Sequence, residues 1–380
     1  MPDGSRIGVW IVGARGSVAT TAIVGTAAVG SGIVAPTGMV TAHPPLDSAR
    51  LPRLESLVFG GHDVVSTPLV KRAEQLAAEG VFPRDLVAGV ADRLVAADAD
   101  IVVAPGDELS PGAVVTRIHD DLTSFRQRHD LDRIVVVNLA STEAPPAWDH
   151  APVDQAEMDA ALEDWATCPV SVVSALAAIR SGSAFVDFTP AAATTVPALV
   201  AMATYAGVPF VGRDGKTGET LLKTVLAPMF ADRSLRVLSW VGTNILGGGD
   251  GDRLADPHYA ASKLDTKAQA LDRMLPNDVH SKVHIDHVPD MGEWKTAWDH
   301  VHFEGFLGTR MNLQFTWQGC DSALAAPLVI DLARLAAAAL ARGVGGPIPE
   351  LGFFFKDPIG SDDDRLGPQF TALCEWAATL

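Results

Sequence analysis

The chain has 380 residues, of which 48% are hydrophobic and 20% charged, and a formal net charge of −17. It is long enough for two domains, or one large α/β body with an insertion, and too apolar for disorder. The negative balance argues against nucleic acid and anionic membranes as partners, and an anionic substrate would need a local cationic pocket.

The N-terminus runs from MPDGSR straight into an apolar strand at 7–12 (IGVWIV), with no secretory signal. GARGSVATTAIVG then reads as a tight turn opening a helix. A second strand is expected near 37–41, with helices near 68–79 and 84–96. Residues 98–105 and 133–142 read as fully apolar strands ending in polar turns, separated by a helix near 111–129, and 185–190 as another such strand. Strands apolar on both faces, alternating with helices, predict a parallel sheet covered on both sides. From about residue 190 the texture changes. Stretches at 234–246, 281–289 and 299–317 are long and alternating, with polar Lys282, His284 and Asp286, as in a sheet packed on one face and open to a cleft or partner on the other. The segment from about 321 to 342 carries Asp331 and Arg334, which suits a buried soluble helix rather than a membrane span, and 353–360 returns to α/β texture. The expected fold is α/β. A doubly wound, nucleotide-binding domain from 1–190 plus 330–380 is interrupted by a mixed-sheet catalytic insertion at 191–329. Cys168, Cys320 and Cys374 are far apart and odd in number, so a reducing, cytoplasmic location is expected.

The turn Gly13-Ala-Arg-Gly16-Ser17-Val18 lies between a strand and a helix, where backbone amides would hold a pyrophosphate. Its fingerprint is incomplete, because Arg15 stands at the central glycine position and no acid closes the expected second strand. Asp63 in GGHD offers a displaced carboxylate for a ribose. Ala140, Ser141 and Thr142, in the polar turn after Asn138, and Asp187 sit where such sheets contact a cofactor. Dinucleotide binding follows. The second glycine turn, VGRDGKTGET at 211–220, lacks the GxxxxGK[ST] pattern of a nucleoside triphosphate site and reads as a turn and helix cap, with Thr217 or Thr220 capping.

Lysine is unevenly used. Six of the eight lysines fall between Lys216 and Lys295, where even scattering would put about 1.7. The remaining cations are arginines, which cannot give up a proton near neutral pH. Lys263 and Lys267 are four apart in a helical stretch and share a face, an arrangement useful beside an anion or where one member must titrate. Bringing a lysine from about 10.4 to about 7–8 takes roughly 4 kcal/mol of differential interaction, which a second lysine and partial burial could supply. Lys295 and Lys356 have apolar or aromatic neighbours that favour partial burial. The pairs His284 with His287 and His300 with His302 lack a third metal ligand at a familiar spacing. Asp250 and Asp321 are the candidates for a small hard cation.

On the segments VGARGSVATT, NLAST, GRDGKTGETLLKTVLAPMF, SWVGTNILGGGDGDRL, SKLDTKAQ, VPDMGEWKTAWD and CDSALAAPLVIDL, the chain resembles the inositol-3-phosphate synthase (myo-inositol-1-phosphate synthase) family, nearest its compact archaeal-type members. The resemblance implies a Rossmann domain with an inserted mixed sheet that builds homo-tetramers, bound NAD, a divalent or monovalent cation, and a sugar phosphate as substrate. It implies that C5 of glucose 6-phosphate is oxidised with NAD, C6 loses a proton and attacks the C1 aldehyde, and the ketone is then reduced, giving an inositol phosphate. Lys263, Lys267, Lys295 and Lys356 correspond to the family's active-site lysines and Asp214 to its active-site aspartate. Asp250 and Asp321 correspond to carboxylates near the nicotinamide and a cation. Three features depart from the family: Arg213 where an acidic residue often precedes Asp214, Leu221 where larger relatives carry a lysine, and an altered phosphate-binding turn, FTPAAATTVP. Three alternatives stay open: closure of a cyclopentane from fructose 6-phosphate, a simple NAD-dependent dehydrogenase, and a non-catalytic NAD sensor.

Overall fold

The computed structural model of this chain describes residues 5–106, 108–248, 271, 273–275 and 279–380. A parallel sheet is built from β1 (Ile7–Val12), β2 (Leu57–Asp63), β3 (Ile101–Val103), β4 (Arg133–Asn138), β5 (Ala184–Asp187) and β6 (Phe210–Gly212), in the order 3-2-1-4-5-6. Side chains alternate across the pleat, so each strand feeds two cores. Ile7, Val9 and Ile11 join a layer with α1 (Ser17–Gly30), α2 (Leu69–Ala78), α3 (Arg84–Asp98), α9 (Asp321–Ala341) and α10 (Leu366–Ala377). Trp10 and Val12 join the opposite layer, with α4 (Pro111–His129), α5 (Gln155–Ala161), α6 (Val170–Arg180) and α7 (Pro197–Ala206). The order reverses between β1 and β4, and the crevice at their C-terminal ends is where such sheets take ligands.

Helix α9 is long and apolar enough to cross a membrane by composition. Its apolar residues are instead buried against α1, β4 and β5, so the chain returns to the first sheet after the second is complete. The parallel sheet also extends past residue 190, taking α7 and β6 before the mixed sheet begins at Arg236.

The strand expected near 37–41 is not formed, and Leu57–Asp63 is the second strand. Val40–Ala42 is a single 3-10 turn. Buried Asp331 of α9 accepts the Val40 N–H at 2.6 Å and the Thr41 hydroxyl, so a helix side chain takes the donor that a sheet neighbour would need.

The second sheet has the order β10-β9-β7-β8, from β7 (Arg236–Leu246), β8 (His280–His287), β9 (Trp294–Glu304) and β10 (Arg310–Cys320). β7 runs parallel to β8 and antiparallel to β9. Val237, Trp240 and Val301 pack on Ala227 and Phe230 of α8 (Glu219–Asp232) and on Leu271 and Leu275. Lys282, His284 and Asp286, opposite Val241, Thr243 and Ile245, are exposed, as the alternation predicts for a one-sided sheet.

Candidate active site

The turn after β1 is shaped for close approach. Gly13 has φ +84°, and a Cβ there would lie 3.0 Å from the Leu139 carbonyl oxygen. Gly16 is the N-cap of α1 and offers no capping side chain, so the first amides of the helix are left for an external anion such as a pyrophosphate. Arg15 is tolerated mid-turn because its side chain leaves the turn, pairing with Asp98 at 3.0 Å and donating to the Val65 carbonyl at 3.0 Å. Asp63 ends β2 beside this turn and accepts the amides of Arg15 (2.6 Å) and Val65 (2.7 Å). Its carboxylate braces the anion turn.

Across the crevice, Asn138 Nδ2 donates to Asp187 Oδ1 at 3.1 Å and to Thr189 Oγ1 at 3.2 Å, while its Oδ1 accepts the Ala140 amide at 3.2 Å. Ser141 is exposed and Thr142 buried in the turn that follows. Asp187 is fully buried and also accepts the Thr189 amide and hydroxyl. Burial pushes its carboxyl up to about 7, against those hydrogen bonds. Asp187 therefore supports the 188–191 turn from within.

The turn after β6 pairs with the segment after Phe354. Lys216 N donates to the Phe354 carbonyl at 2.8 Å, Lys356 N to Asp214 at 2.7 Å and Ile359 N to Gly212 at 2.9 Å. This short ladder carries Asp214 and Lys356 into contact, with Lys356 Nζ 2.8 Å from Asp214 Oδ1 and side-chain exposures of 14% and 6%. Asp214 holds φ +59°, which aspartate tolerates better than most residues. A Cβ on Gly215 would lie 2.1 Å from the Phe188 ring, so only glycine lets this turn lie against the 188–191 turn. Lys216 is buried, donates to Gln369 Oε1 at 2.6 Å, and is pulled down to about 8 by burial, opposed by Asp364 and Asp363. The expected threonine cap is absent, since Gly218 is the N-cap of α8 and no side chain caps it.

Lys295 lies near the start of β9, 3.6 Å from Asp321 Oδ2 at the start of α9. A Cβ on Gly218 would be 3.9 Å from Asp321 Oδ1, so this pair adjoins the end of the Asp214 turn. Two residues before Lys295, Glu293 Oε1 accepts from the Ser17 hydroxyl at 2.6 Å, and Arg72 Nη2 donates to the same hydroxyl at 2.6 Å. The lysine-bearing strand is thus fastened to the anion turn of the nucleotide crevice.

Of the expected site residues, Lys263, Lys267 and Asp250 lie outside the described residues. Lys295, Lys356, Asp214 and Asp321 gather along the 213–218 turn, and Gly13, Gly16, Ser17, Val18, Asp63, Ala140, Ser141, Thr142 and Asp187 line the crevice between β1 and β4 or its supports. Among the described residues no group of three His, Cys, Asp or Glu could hold a metal, and His300 and His302 lie on β9. Sequence reasoning left Lys216, Lys223 and Arg213 without a role. Lys223 pairs with Glu219 at 2.7 Å with both side chains 1% exposed, and the i,i+4 spacing on a helix was a readable signal.

The comparisons with known proteins agree with one another. The model of the myo-inositol-1-phosphate synthase family matches residues 7–377. An inositol-3-phosphate synthase of Bacteroides thetaiotaomicron is 33% identical over 408 aligned positions, covering 99% of this chain and 94% of that protein. The fold matches the crystal structure of an inositol-3-phosphate synthase from Caenorhabditis elegans with a TM-score of 0.85 at 20% identity, over 99% of this chain and 86% of the other. It also matches a myo-inositol-1-phosphate synthase-related protein from Thermotoga maritima, with a TM-score of 0.80 at 23% identity over 98% of each chain.

Proposed function

This chain belongs to the myo-inositol-1-phosphate synthase family, and we propose that the turn at 213–218 and the crevice between β1 and β4 form one active site that converts glucose 6-phosphate to inositol 3-phosphate. The observation that carries the site is the Lys356–Asp214 contact, built on a backbone ladder next to a second lysine–carboxylate pair, in a chain matched end to end by a curated synthase. Bound NAD supplies the capacity to accept a hydride and return it. Gly16, Ser17 and Val18 would hold its pyrophosphate, with Asp63 bracing the turn and Ala140 to Thr142 alongside.

Ring closure develops an oxyanion and moves protons at C5 and C6, and each event calls for a fixed cation or a tunable acid. Lys356, held by Asp214, and Lys295, held by Asp321, offer ammonium groups in set orientations. Lys263 and Lys267 complete the lysine set by family correspondence. A small cation beside Asp321 belongs to the same reading, tested by turnover with and without chelator and with sodium, potassium or ammonium as the monovalent ion. We also propose that the chain groups with compact, archaeal-type members, works as a tetramer through the open face of its mixed sheet, and is cytoplasmic, a location supported by its three free cysteines.

The deciding experiment incubates the purified protein and NAD with glucose 6-phosphate and, in parallel, with fructose 6-phosphate, and identifies products by NMR. Inositol 3-phosphate from the first sugar supports the reading. A cyclopentane from the second alone would overturn it and leave the lysine chemistry standing.

A further inference from the structure

Three stretches of backbone meet at the catalytic edge: 188–191, 213–216 and 354–359. Asp214 N donates to the Thr189 carbonyl at 2.9 Å and Gly215 N to Phe188 at 3.0 Å, while Lys356 N donates to Asp214. One guanidinium ties all three. Arg213 Nη1 donates to the carbonyls of Pro190 at 2.8 Å and Ala191 at 3.3 Å. Its Nε and Nη2 reach Asp357 Oδ2 at 3.0 and 2.7 Å. The backbones of Arg213 and Asp357 also exchange hydrogen bonds, at 2.9 and 3.2 Å.

Every partner of this side chain is an acceptor. An acidic residue at 213 would face two carbonyls and a carboxylate here, so Arg213 and Asp357 act as a single device. Arginine's planar fork serves two directions at once, which the single point charge of lysine does not. Position in the chain matters too. Arg213 immediately precedes Asp214, and Asp357 immediately follows Lys356, so the clamp closes one residue beyond the ion pair on both strands.

We infer that Arg213, closed on Asp357 and on the 190–191 carbonyls, is a positioning residue that fixes the Asp214–Lys356 pair for the reaction. This rests on the active-site reading above. Arg213 is not required to touch substrate; it acts through Lys356. With side chains 21% and 28% exposed the pair is half-buried, so a thermal melt of each variant accompanies the kinetics to show that it folds.

The test uses the full-length protein with NAD and the variants Arg213→Ala, Arg213→Lys, Asp357→Asn and Arg213→Ala with Asp357→Asn. Arg213→Ala should lower kcat about 10–100-fold, the scale of a small misplacement of a catalytic group, while KM for glucose 6-phosphate changes less than about threefold. Arg213→Lys should recover only part of that loss. The double variant should be within about twofold of the worse single variant, because the two groups work as one. Hydrogen exchange supplies a readout independent of the reaction: the amides of Asp214 and Lys356 should exchange at least about tenfold faster in Arg213→Ala, with β1 and β4 unchanged. Unchanged kcat, multiplicative effects in the double variant, or a rise in KM with kcat intact would each overturn the inference, the last by making Arg213 a substrate-binding group. If the wild type turns over no glucose 6-phosphate, the functional reading falls, and exchange at Asp214 and Lys356 alone decides whether the clamp exists.

Discussion

Burial of Asp187 at the end of β5 moves its carboxyl from 3.8 to about 7. The folded chain therefore holds a proton there that the unfolded chain has released. A raised carboxyl contributes stability that is intact below about 4 and is lost as pH rises through about 7. Asp187→Asn keeps the Oδ1 acceptor used by Asn138 and Thr189 and removes the titration. The fall in Tm between pH 5 and pH 8 should be smaller in the variant, read by calorimetry; parallel curves would mean that the native carboxyl is not protonated near neutrality. The lysines proposed for the active site give a separate prediction. Lys356→Ala and Lys295→Ala should each lower kcat by about 100-fold or more, the range for loss of a general acid–base group or fixed cation. Lys71, an exposed residue paired with Glu74 on α2, is the control, and Lys71→Ala should retain full turnover. Similar losses at all three positions would remove the functional content of the lysine spacing.

Within α8, the Glu219–Lys223 pair is sealed between the helix and β7, where Asn244 Nδ2 donates to Glu219 Oε2 at 2.8 Å. Burying two charges is costly, and they persist because each offsets the other. Lys223→Met removes the i,i+4 cation beside buried Glu219 and should destabilise the chain by about 3–5 kcal/mol in urea unfolding. Combining Glu219→Gln with Lys223→Met should recover much of that loss, since the carboxylate that lost the Lys223 contact is neutralised as well. A double variant as unstable as the single one would show that packing around Lys223, including its approach to the Trp240 ring, outweighs its charge. The element boundaries teach a similar lesson. Residues 37–41 are apolar enough for a strand, yet Asp331, nearly three hundred residues along the chain, captures their backbone and leaves a 3-10 turn.

At the scale of the whole molecule, the mixed sheet buries one face on α8 and leaves Trp298, Met311, Phe306 and Leu307 exposed on or beside β9 and β10. Exposed apolar groups of this size favour association. Light scattering should report a tetramer, and Trp298→Glu should shift it toward smaller species; a wild-type monomer would sink this prediction. The two sheets must also act together. The hydride taken early in the reaction is needed again at its end, so NADH should not accumulate in solution during turnover. Stoichiometric release, followed at 340 nm, would favour an ordinary dehydrogenase.

Much of this was legible in the chain because it rests on local physics. Period-two alternation after about residue 234 marked the one-sided sheet, doubly apolar runs marked the parallel one, and glycines at 13 and 16 marked the anion turn. Lysines crowd between 216 and 295, where Lys216 and Lys223 take buried partners and Lys282 is exposed, and the family likeness is what singles out Lys295, Lys356 and Asp214. The tertiary structure decided what depends on contacts distant in sequence: that Lys356 meets Asp214, that Asp63 takes the Arg15 amide, that Asn138 bonds Asp187, and that Arg213 closes on Asp357. No local pattern encodes these pairings. Each requires a backbone fold that brings together segments often more than a hundred residues apart, and spacing along a chain says nothing of distance across a sheet.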